Sequence, residues 1–269
     1  MGSLPHLSIV AVTKDTFSSL YNKPKTFTVM NTQKLMKTTG LALLLCLFMG
    51  QLNAQTVVQA ADIMDALKKG EAVNYSNATI KGKLDFTFMD EKLPDLPVRR
   101  KWWKDGGDNT VNEDIESKIS FVNCIFEDDV IAYYHDDRSE YTFTADFEKD
   151  VKFENCQFKR DAMFKYSNFE GDATFAGSIF DEETTFKYAE FDYRADFSNT
   201  LFDEDAIFKY TKFRDGASFN AAKFERSLDM KYTKVRGDFD VKGMEVRWDI
   251  ITKYAEVNGR SFSRYLLDN

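Results

Sequence analysis

Phenylalanine recurs through the second half of the chain at steps that alternate between six and five residues. From Phe147 to Phe224 the pattern runs through fifteen positions without a break, and its register continues with other side chains to Val257. The residue two places earlier is usually small, as Ala173 is before Phe175. An amphipathic helix repeats its apolar face about every 3.6 residues and a half-buried strand every two, so neither explains this spacing. A period of this kind indicates stacked structural repeats.

A second period gives the size of the repeating unit. The dipeptide Lys-Tyr recurs at intervals of 22 residues, so four Phe positions complete one turn. We expect a four-sided coil of parallel strands, with each Phe and its small partner pointing inward and neighbouring turns about 4.8 Å apart. Weaker turns precede the regular ones, from Ile80 onward. The whole pattern predicts about seven turns and a rod about 34 Å long.

The repeated unit of a small residue, any residue and then Phe or Leu resembles the pentapeptide-repeat family. Residues 173–180, with the sequence ATFAGSIF, match the family pattern closely, and the resemblance covers about 145–257. It implies an all-β fold, a right-handed quadrilateral parallel β-helix. The regular sixth residue on alternate faces departs from the family's pattern. Because one fold hosts many roles, the resemblance implies little about function.

The N-terminal residues 1–54 predict an export signal. The apolar run of residues 41–49 follows Lys37 and leads to Ala54, and this order is typical of a secretory signal peptide. The signal lies unusually far from the first residue, so we expect translation to start at Met30 or Met36. The alternative is an uncleaved membrane anchor.

The remaining chain divides into a cap, a coil with two insertions, and a second cap. Residues 55–70 predict a short N-terminal helix that covers the open first turn. The β-helix is expected over 71–257. Gaps in the register place insertions at 87–114 and 127–146. Residues 258–269 are expected to cover the other end or to contact a partner.

The charge of the chain is acidic. Asp and Glu number 44 against 36 Lys and Arg, and because residues 1–54 carry five Lys and one Asp, the remainder has a net charge of −12. This balance argues against a nucleic-acid partner, which needs clustered basic residues. Some members of the resembling family mimic DNA with an acidic surface and inhibit gyrase, so an acidic inhibitor of that kind is one alternative.

The sequence offers little for catalysis or metal binding. Its two histidines are His6 and His135, and neither belongs to a catalytic or zinc-ligand pattern. Acidic corners at 181–183 and 203–205 are expected to stack, as a solubilising surface or as a calcium site. We therefore expect no enzyme, no cofactor and no metal. A glycan-cleaving carboxylate pair is disfavoured, because no acidic pair stands out from the repeated corners.

Two cysteines, Cys124 and Cys156, occupy equivalent inward positions one turn apart. Parallel neighbours at about 4.8 Å lie within the Cα range of disulfides, and export permits oxidation. The alternative is a pair of free thiols that serve as small core residues.

Two groups of residues are candidate binding sites. The first insertion contains cations beside two tryptophans, which suit a lipid headgroup layer or an anionic polymer unless the Trp pair folds back on the first turns. These residues are Arg99, Arg100, Lys101, Trp102, Trp103 and Lys104. The Lys-Tyr column points outward as an aromatic strip for a sugar chain or a partner, or serves only to stabilise the rod. Its tyrosines are Tyr166, Tyr188, Tyr210, Tyr232 and Tyr254.

These observations favour a non-enzymatic exported scaffold, periplasmic or secreted. It would bind an unknown protein, an envelope polymer or a membrane surface through its insertion loops. The competing interpretation is a structural rod that associates with itself, as a homodimer through its C-terminal end.

Overall fold

The computed structural model describes residues 55–97 and 109–268, with side chains to Tyr265. The signal peptide expected over 1–54 lies outside the described residues. Three α-helices are present in the described part, α1 (Ala60–Lys68), α2 (Met89–Lys92) and α3 (Phe262–Asp268), with a 3₁₀ turn at Leu93–Asp95.

Short strands make up most of the described chain. The first eleven are β1 (Thr56–Gln59), β2 (Val73–Ser76), β3 (Ala78–Lys81), β4 (Leu84–Asp85), β5 (Thr110–Ile115), β6 (Ile119–Val122), β7 (Ile125–Phe126), β8 (Val130–Ile131), β9 (Tyr133–Asp136), β10 (Tyr141–Phe147) and β11 (Val151–Glu154). The regular turns follow as β12 (Gln157–Phe158), β13 (Ala162–Met163), β14 (Asn168–Phe169), β15 (Ala173–Thr174), β16 (Ile179–Phe180), β17 (Thr184–Thr185), β18 (Glu190–Phe191), β19 (Ala195–Asp196), β20 (Leu201–Phe202), β21 (Ala206–Ile207), β22 (Lys212–Phe213), β23 (Ala217–Ser218), β24 (Lys223–Phe224), β25 (Leu228–Asp229), β26 (Lys234–Val235), β27 (Phe239–Asp240), β28 (Glu245–Val246), β29 (Ile250–Ile251), β30 (Glu256–Val257) and β31 (Arg260–Ser261).

These strands form four sheets, which are the four sides of a coil. Face A is β1-β3-β7-β12-β16-β20-β24-β28, and face B is β2-β6-β11-β15-β19-β23-β27. Face C is β4-β8-β13-β17-β21-β25-β29, and face D is β5-β10-β14-β18-β22-β26-β30-β31. Neighbouring strands in the regular turns are parallel and offset by one 22-residue turn, so that Phe158 pairs with Phe180 and Phe169 with Phe191. The predicted right-handed quadrilateral β-helix is confirmed.

The core consists of stacked phenylalanine rings. Phe180 and Phe202 are 4.8 Å apart and nearly parallel, and both are fully buried. Rings on different faces meet edge to face, as Phe175 and Phe186 do at 5.2 Å and 75°. Both arrangements are favourable for aromatic quadrupoles. The buried small residues two places earlier, such as Ala195, leave room for the rings.

The N-terminal helix begins later than the sequence predicts. The helix expected over 55–70 starts at Ala60, because β1 pairs in parallel with β3 and extends face A by one strand. Helix α1 then buries Ile63, Met64 and Leu67 in the core. The cap therefore combines a strand with a helix, and together they cover the first turn.

The first insertion is shorter than the predicted 87–114. Residues 110–115 are strand β5 of face D, paired in parallel with β10 from Thr110 opposite Thr142 to Ile115 opposite Phe147. The pattern missed this strand because most of its side chains are polar and its partner lies about 30 residues away in sequence.

The second insertion is a hairpin. Within the predicted 127–146, strand β8 stays in face C, and β9 folds back antiparallel on β10, with Asp136 opposite Tyr141. Side chains from both insertions pack together there, with Met89 and Leu93 against Tyr141 and Phe143. The Tyr141 hydroxyl also donates a hydrogen bond to the Pro97 carbonyl at 3.2 Å.

The C-terminal segment covers only part of its end. Strand β31 folds back on β30, and α3 buries Phe262, whose ring lies 5.7 Å from Phe239. The Tyr265 hydroxyl donates to the Phe239 carbonyl at 2.5 Å. In the described chain no further strand pairs with β28 or β29, the last strands of faces A and C. Trp248 there is 63% exposed and Ile251 is 41% exposed.

We predict that Phe197→Ala destabilises the rod strongly. The Phe197 ring is fully buried between Phe175 and Phe219, each 5.1 Å away, and removing it leaves a cavity along the core. The expected loss in the free energy of unfolding is about 3–5 kcal/mol, measured by urea denaturation. Tyr193→Ala, at a ring that is 56% exposed, is the control and is expected to change it by less than about 0.5 kcal/mol. Equal effects would contradict a core held by ring stacking.

Candidate functional site

The corners of the coil differ in length and backbone conformation. Going from face B to face A, and from face C to face D, the chain turns in five residues, and the residue two places after the inward side chain has positive φ. At the first of these corners that residue is usually Asn or Gly, as in Asn155, Gly177 and Asn199 with φ of 52°, 68° and 55°. These residues tolerate the left-handed region best. The face B to face A corner therefore uses the residue types that are expected at a turn position with positive φ.

The second corner breaks this rule in five consecutive turns. Its positive-φ residue is tyrosine at Tyr166, Tyr188, Tyr210, Tyr232 and Tyr254, with φ of 62–65°. The turn itself is well formed, since the Ala189 N–H donates to the Phe186 carbonyl at 2.9 Å. A residue other than Gly, Asn or Asp costs about 1–2 kcal/mol in this conformation, because its Cβ crowds the following carbonyl and it lacks a short polar side chain that can hydrogen-bond locally. The tyrosines are thus held against a local strain, and their side chains must contribute something that Asn or Gly would not.

The tyrosine rings form one continuous outward stack. Successive centroids are 4.6–4.9 Å apart, with planes within 20° of parallel. Tyr133 of the hairpin adds a sixth ring, 5.7 Å from Tyr166 and tilted by 49°. The inner rings cover one another's faces. The stack therefore presents ring edges and hydroxyls rather than flat platforms.

A lysine precedes each tyrosine and lies over its ring. The ammonium-to-centroid distances are 4.9–5.5 Å, within cation–π range. Lys165 also donates a hydrogen bond to the Tyr133 hydroxyl at 2.9 Å. We name the ten residues the Lys–Tyr strip: Lys165, Tyr166, Lys187, Tyr188, Lys209, Tyr210, Lys231, Tyr232, Lys253 and Tyr254.

The strip lysines repel one another and have no ion-pair partner among the described residues. Burial together with the neighbouring charges of Lys165 and Lys209 lowers the pKa of Lys187 from its usual value, and outweighs the opposing charge of Asp229, which forms no ion pair with it in the described chain. Elsewhere the rod pairs its charges. Lys212 and Arg214 both bind Glu190, and these hydrogen bonds outweigh the opposing effect of burial and lower the pKa of that carboxyl.

The acidic corners lie across face C from the strip, between faces A and C. Burial, Asp181, Glu225 and Glu204 together raise the pKa of Asp203. In the part of the chain that the structure describes, no group of three or more His, Cys, Asp or Glu side chains is placed to hold a metal ion.

The cysteine pair lies where the register places it. Cys124 and Cys156 are buried free thiols, and the Cys156 thiol donates to the Phe121 carbonyl at 3.4 Å. The hydrogen bond with Cys124 and burial raise the pKa of the Cys156 thiol. A disulfide between them stays a prediction.

The predicted cluster Arg99, Arg100, Lys101, Trp102, Trp103 and Lys104 lies outside the described residues. His135 lies on β9, with Nδ1 2.9 Å from the Thr142 hydroxyl and Nε2 3.6 Å from Asp137.

Within 55–97 and 109–268, no helix is both long enough and apolar enough to cross a membrane.

Sequence reasoning missed two parts of the strip. The strained backbone at Tyr166 and its equivalents was signalled by Asn and Gly at the matching position of the other five-residue corner. Tyr133 had no sequence signal, because the hairpin that delivers it interrupts the repeat.

We predict opposite effects of neutralising a strip lysine and a paired lysine. A lowered lysine pKa means that folding disfavours the ammonium, so Lys187→Gln removes a penalty and does not lower the thermal midpoint near pH 7. Lys212→Gln removes a partner of Glu190 and is expected to lower the thermal midpoint. The corresponding loss in the free energy of unfolding is less than about 1 kcal/mol. Calorimetry at low and high salt measures both, and salt should shrink both effects. A lower midpoint for Lys187→Gln would show that the lysines serve stability.

The comparisons with known proteins identify the repeat. A family model described as "Pentapeptide repeats (9 copies)" matches residues 144–179, 164–212 and 186–234. No curated protein and no solved structure matched the chain. The matched region holds the regular turns that carry most of the strip. Residues 144–234 of the chain therefore match the pentapeptide-repeat family, and the four-sided β-helix agrees with that match.

Proposed function

We propose that the protein is a non-enzymatic, exported scaffold that binds an anionic component of the cell envelope along the Lys–Tyr strip. The observation that carries this proposal is a row of five lysines without carboxylate partners in the described chain. Proteins of this family are generally structural and non-enzymatic. Export rests on the signal peptide expected over residues 1–54.

The energetic cost of the strip supports a binding role. In a ladder kept only for stability, repulsion among the ammonium groups works against the gain from ring stacking and from the cation–π contacts. Each of these five turns also accepts a strained tyrosine where the neighbouring corner uses Asn or Gly in most turns, with Ala221 as an exception. Strained residues persist where function requires them, and an anionic ligand would offset the lysine repulsion.

The hairpin links the strip to the first insertion. Tyr133 continues the ring stack, and the Asn109 side chain donates a hydrogen bond to the Glu140 carbonyl at 2.7 Å. Pro97 accepts a hydrogen bond from Tyr141 on the same hairpin. The residues that flank 98–108 on both sides are therefore attached to the hairpin that begins the ladder. This placement supports the insertion as a second contact for the same partner.

We predict that neutralising the middle of the strip weakens binding to anionic envelope material. In Lys187→Gln/Lys209→Gln/Lys231→Gln, three charge contacts are lost, and affinity is expected to fall about tenfold or more. Co-sedimentation of the purified protein with cell-wall material and with anionic vesicles, at low and physiological salt, measures it.

The matched control removes three exposed lysines from other faces, Lys159→Gln/Lys223→Gln/Lys242→Gln, with the same change in net charge. It should bind like the wild type. Equal losses in both variants would indicate a net-charge effect, and no loss in the strip variant would exclude the strip.

A second candidate function is self-association through the C-terminal end. Strands β28 and β29 leave open edges beside exposed Trp248 and Ile251, and such edges pair readily with other strands. Under this interpretation, Trp248→Ser/Ile251→Ser converts a dimer to a monomer in sedimentation analysis, whereas Tyr193→Ser does not. A monomeric wild type would exclude it.

A further inference from the structure

We propose that the ligand of the Lys–Tyr strip is a linear polyuronate, an acidic polysaccharide with one carboxylate on each sugar ring. The chain would lie along the rod axis, one carboxylate to each lysine. This inference rests on the proposed function and specifies its ligand.

The strip is a single file of charges. Ring centroids repeat every 4.6–4.9 Å, and each ring carries its own lysine at a similar distance. Five lysines at this spacing span about 19 Å. The row occupies one corner of the coil, which is a ridge. A thin chain can follow a ridge along its whole length, whereas a planar surface also meets the faces beside it.

The spacing of the lysines selects among linear polyanions. Phosphates follow one another about every 3.4 Å along a stacked nucleic-acid strand, and successive carboxylates of an extended acidic peptide also follow one another about every 3.4 Å. Over five turns, neither of these charge spacings stays in register with the lysines. A polyuronate advances by one pyranose ring per carboxylate, a length close to one turn of the rod. Successive carboxylates point to different sides of the chain, because successive linked rings are turned relative to one another. The flexible four-carbon lysine side chains can reach them on either side, so successive carboxylates can meet successive lysines.

The tyrosines suit the sugar between the charges. Because the inner ring faces are covered by their neighbours, the ladder offers hydroxyls rather than stacking platforms. Among the described residues, the hydroxyls of Tyr188, Tyr210 and Tyr232 have no hydrogen-bond partner in the protein. A phenol hydroxyl donates and accepts, so each can pair with a sugar hydroxyl beside the carboxylate bound to the lysine.

The structure also limits the length of the site. At one end Lys165 is hydrogen-bonded to Tyr133, whose tilted ring begins the ladder. At the other end Tyr254 is 59% exposed. The strip therefore provides five subsites.

The test uses oligogalacturonates of defined length with the purified protein, at low ionic strength and followed by calorimetry. Affinity is expected to rise with each added residue up to about five and then to level off. Lys209→Gln, in the middle of the strip, should weaken pentamer binding about five- to tenfold, whereas Lys223→Gln on face A should not. Methyl-esterified oligomers, which lack the charge, should not bind.

A second variant separates the sugar from its charge. Tyr210→Phe keeps the stacked ring and removes only the hydroxyl, so it should weaken binding of the pentamer about threefold or more. It should leave binding of poly-L-glutamate unchanged.

The outcomes distinguish this inference from the proposed function. If poly-L-glutamate or anionic vesicles bind as tightly as polyuronates at equal charge, or no plateau appears near five residues, the polyuronate is the wrong ligand and the strip remains an anionic site. If Lys209→Gln and the triple strip variant bind every probe like the wild type, the proposed function fails as well.

Discussion

The structure depends on one constraint, the hydrogen-bonded register that, in the regular turns, places each residue over the residue 22 positions away. Inside the coil, this register stacks Phe180 on Phe202 and converts a repeated side chain into a continuous column of rings. Outside, the same register stacks whatever the sequence repeats. After burial, the stacked charges of Lys165 and Lys209 contribute to the lowered pKa of Lys187. In the same way, stacked carboxylates contribute, after burial, to the raised pKa of Asp203. Core and candidate site are therefore two consequences of the same geometry.

The alternation of five and six residues gives the corners different roles. In the regular turns every five-residue corner contains a residue with positive φ, whereas six-residue corners contain one only at glycines such as Gly216 and Gly237. The face B to face A corner meets that requirement with residues such as Gly177, where a Cβ would lie 2.2 Å from the Asn155 side chain. The face C to face D corner meets it with tyrosine. Tyrosine at the positive-φ position strains the backbone. Ring stacking and the cation–π contacts offset part of that strain energy.

Most of the fold was predictable because its signal is local and repeated. A small residue two places before Phe marks each inward face, and the Lys-Tyr dipeptide marks the turn. The first strand and the bounds of the insertions were not predictable in this way. Residues 56–59 fit either a helix or a strand, and pairing with residues 78–81 decides between them. Strand β5 depends likewise on β10, a partner that the register could not identify. The outward direction of the tyrosines followed from the spacing, whereas their strained backbone followed only from the length of the corner.

The acidic character of the rod bears on which ligands the strip can accept. One face away, the corner with Asp181 and Asp203 carries stacked carboxylates, and salt screens charges only beyond about 8–10 Å. A broad polyanion, such as a nucleic-acid duplex, that reached the lysines would therefore also meet those carboxylates. A single chain held along the ridge stays over the lysines and away from the acidic corner. The negative charge that argues against a broad nucleic-acid interface thus works together with the narrow strip to favour a thin, linear ligand.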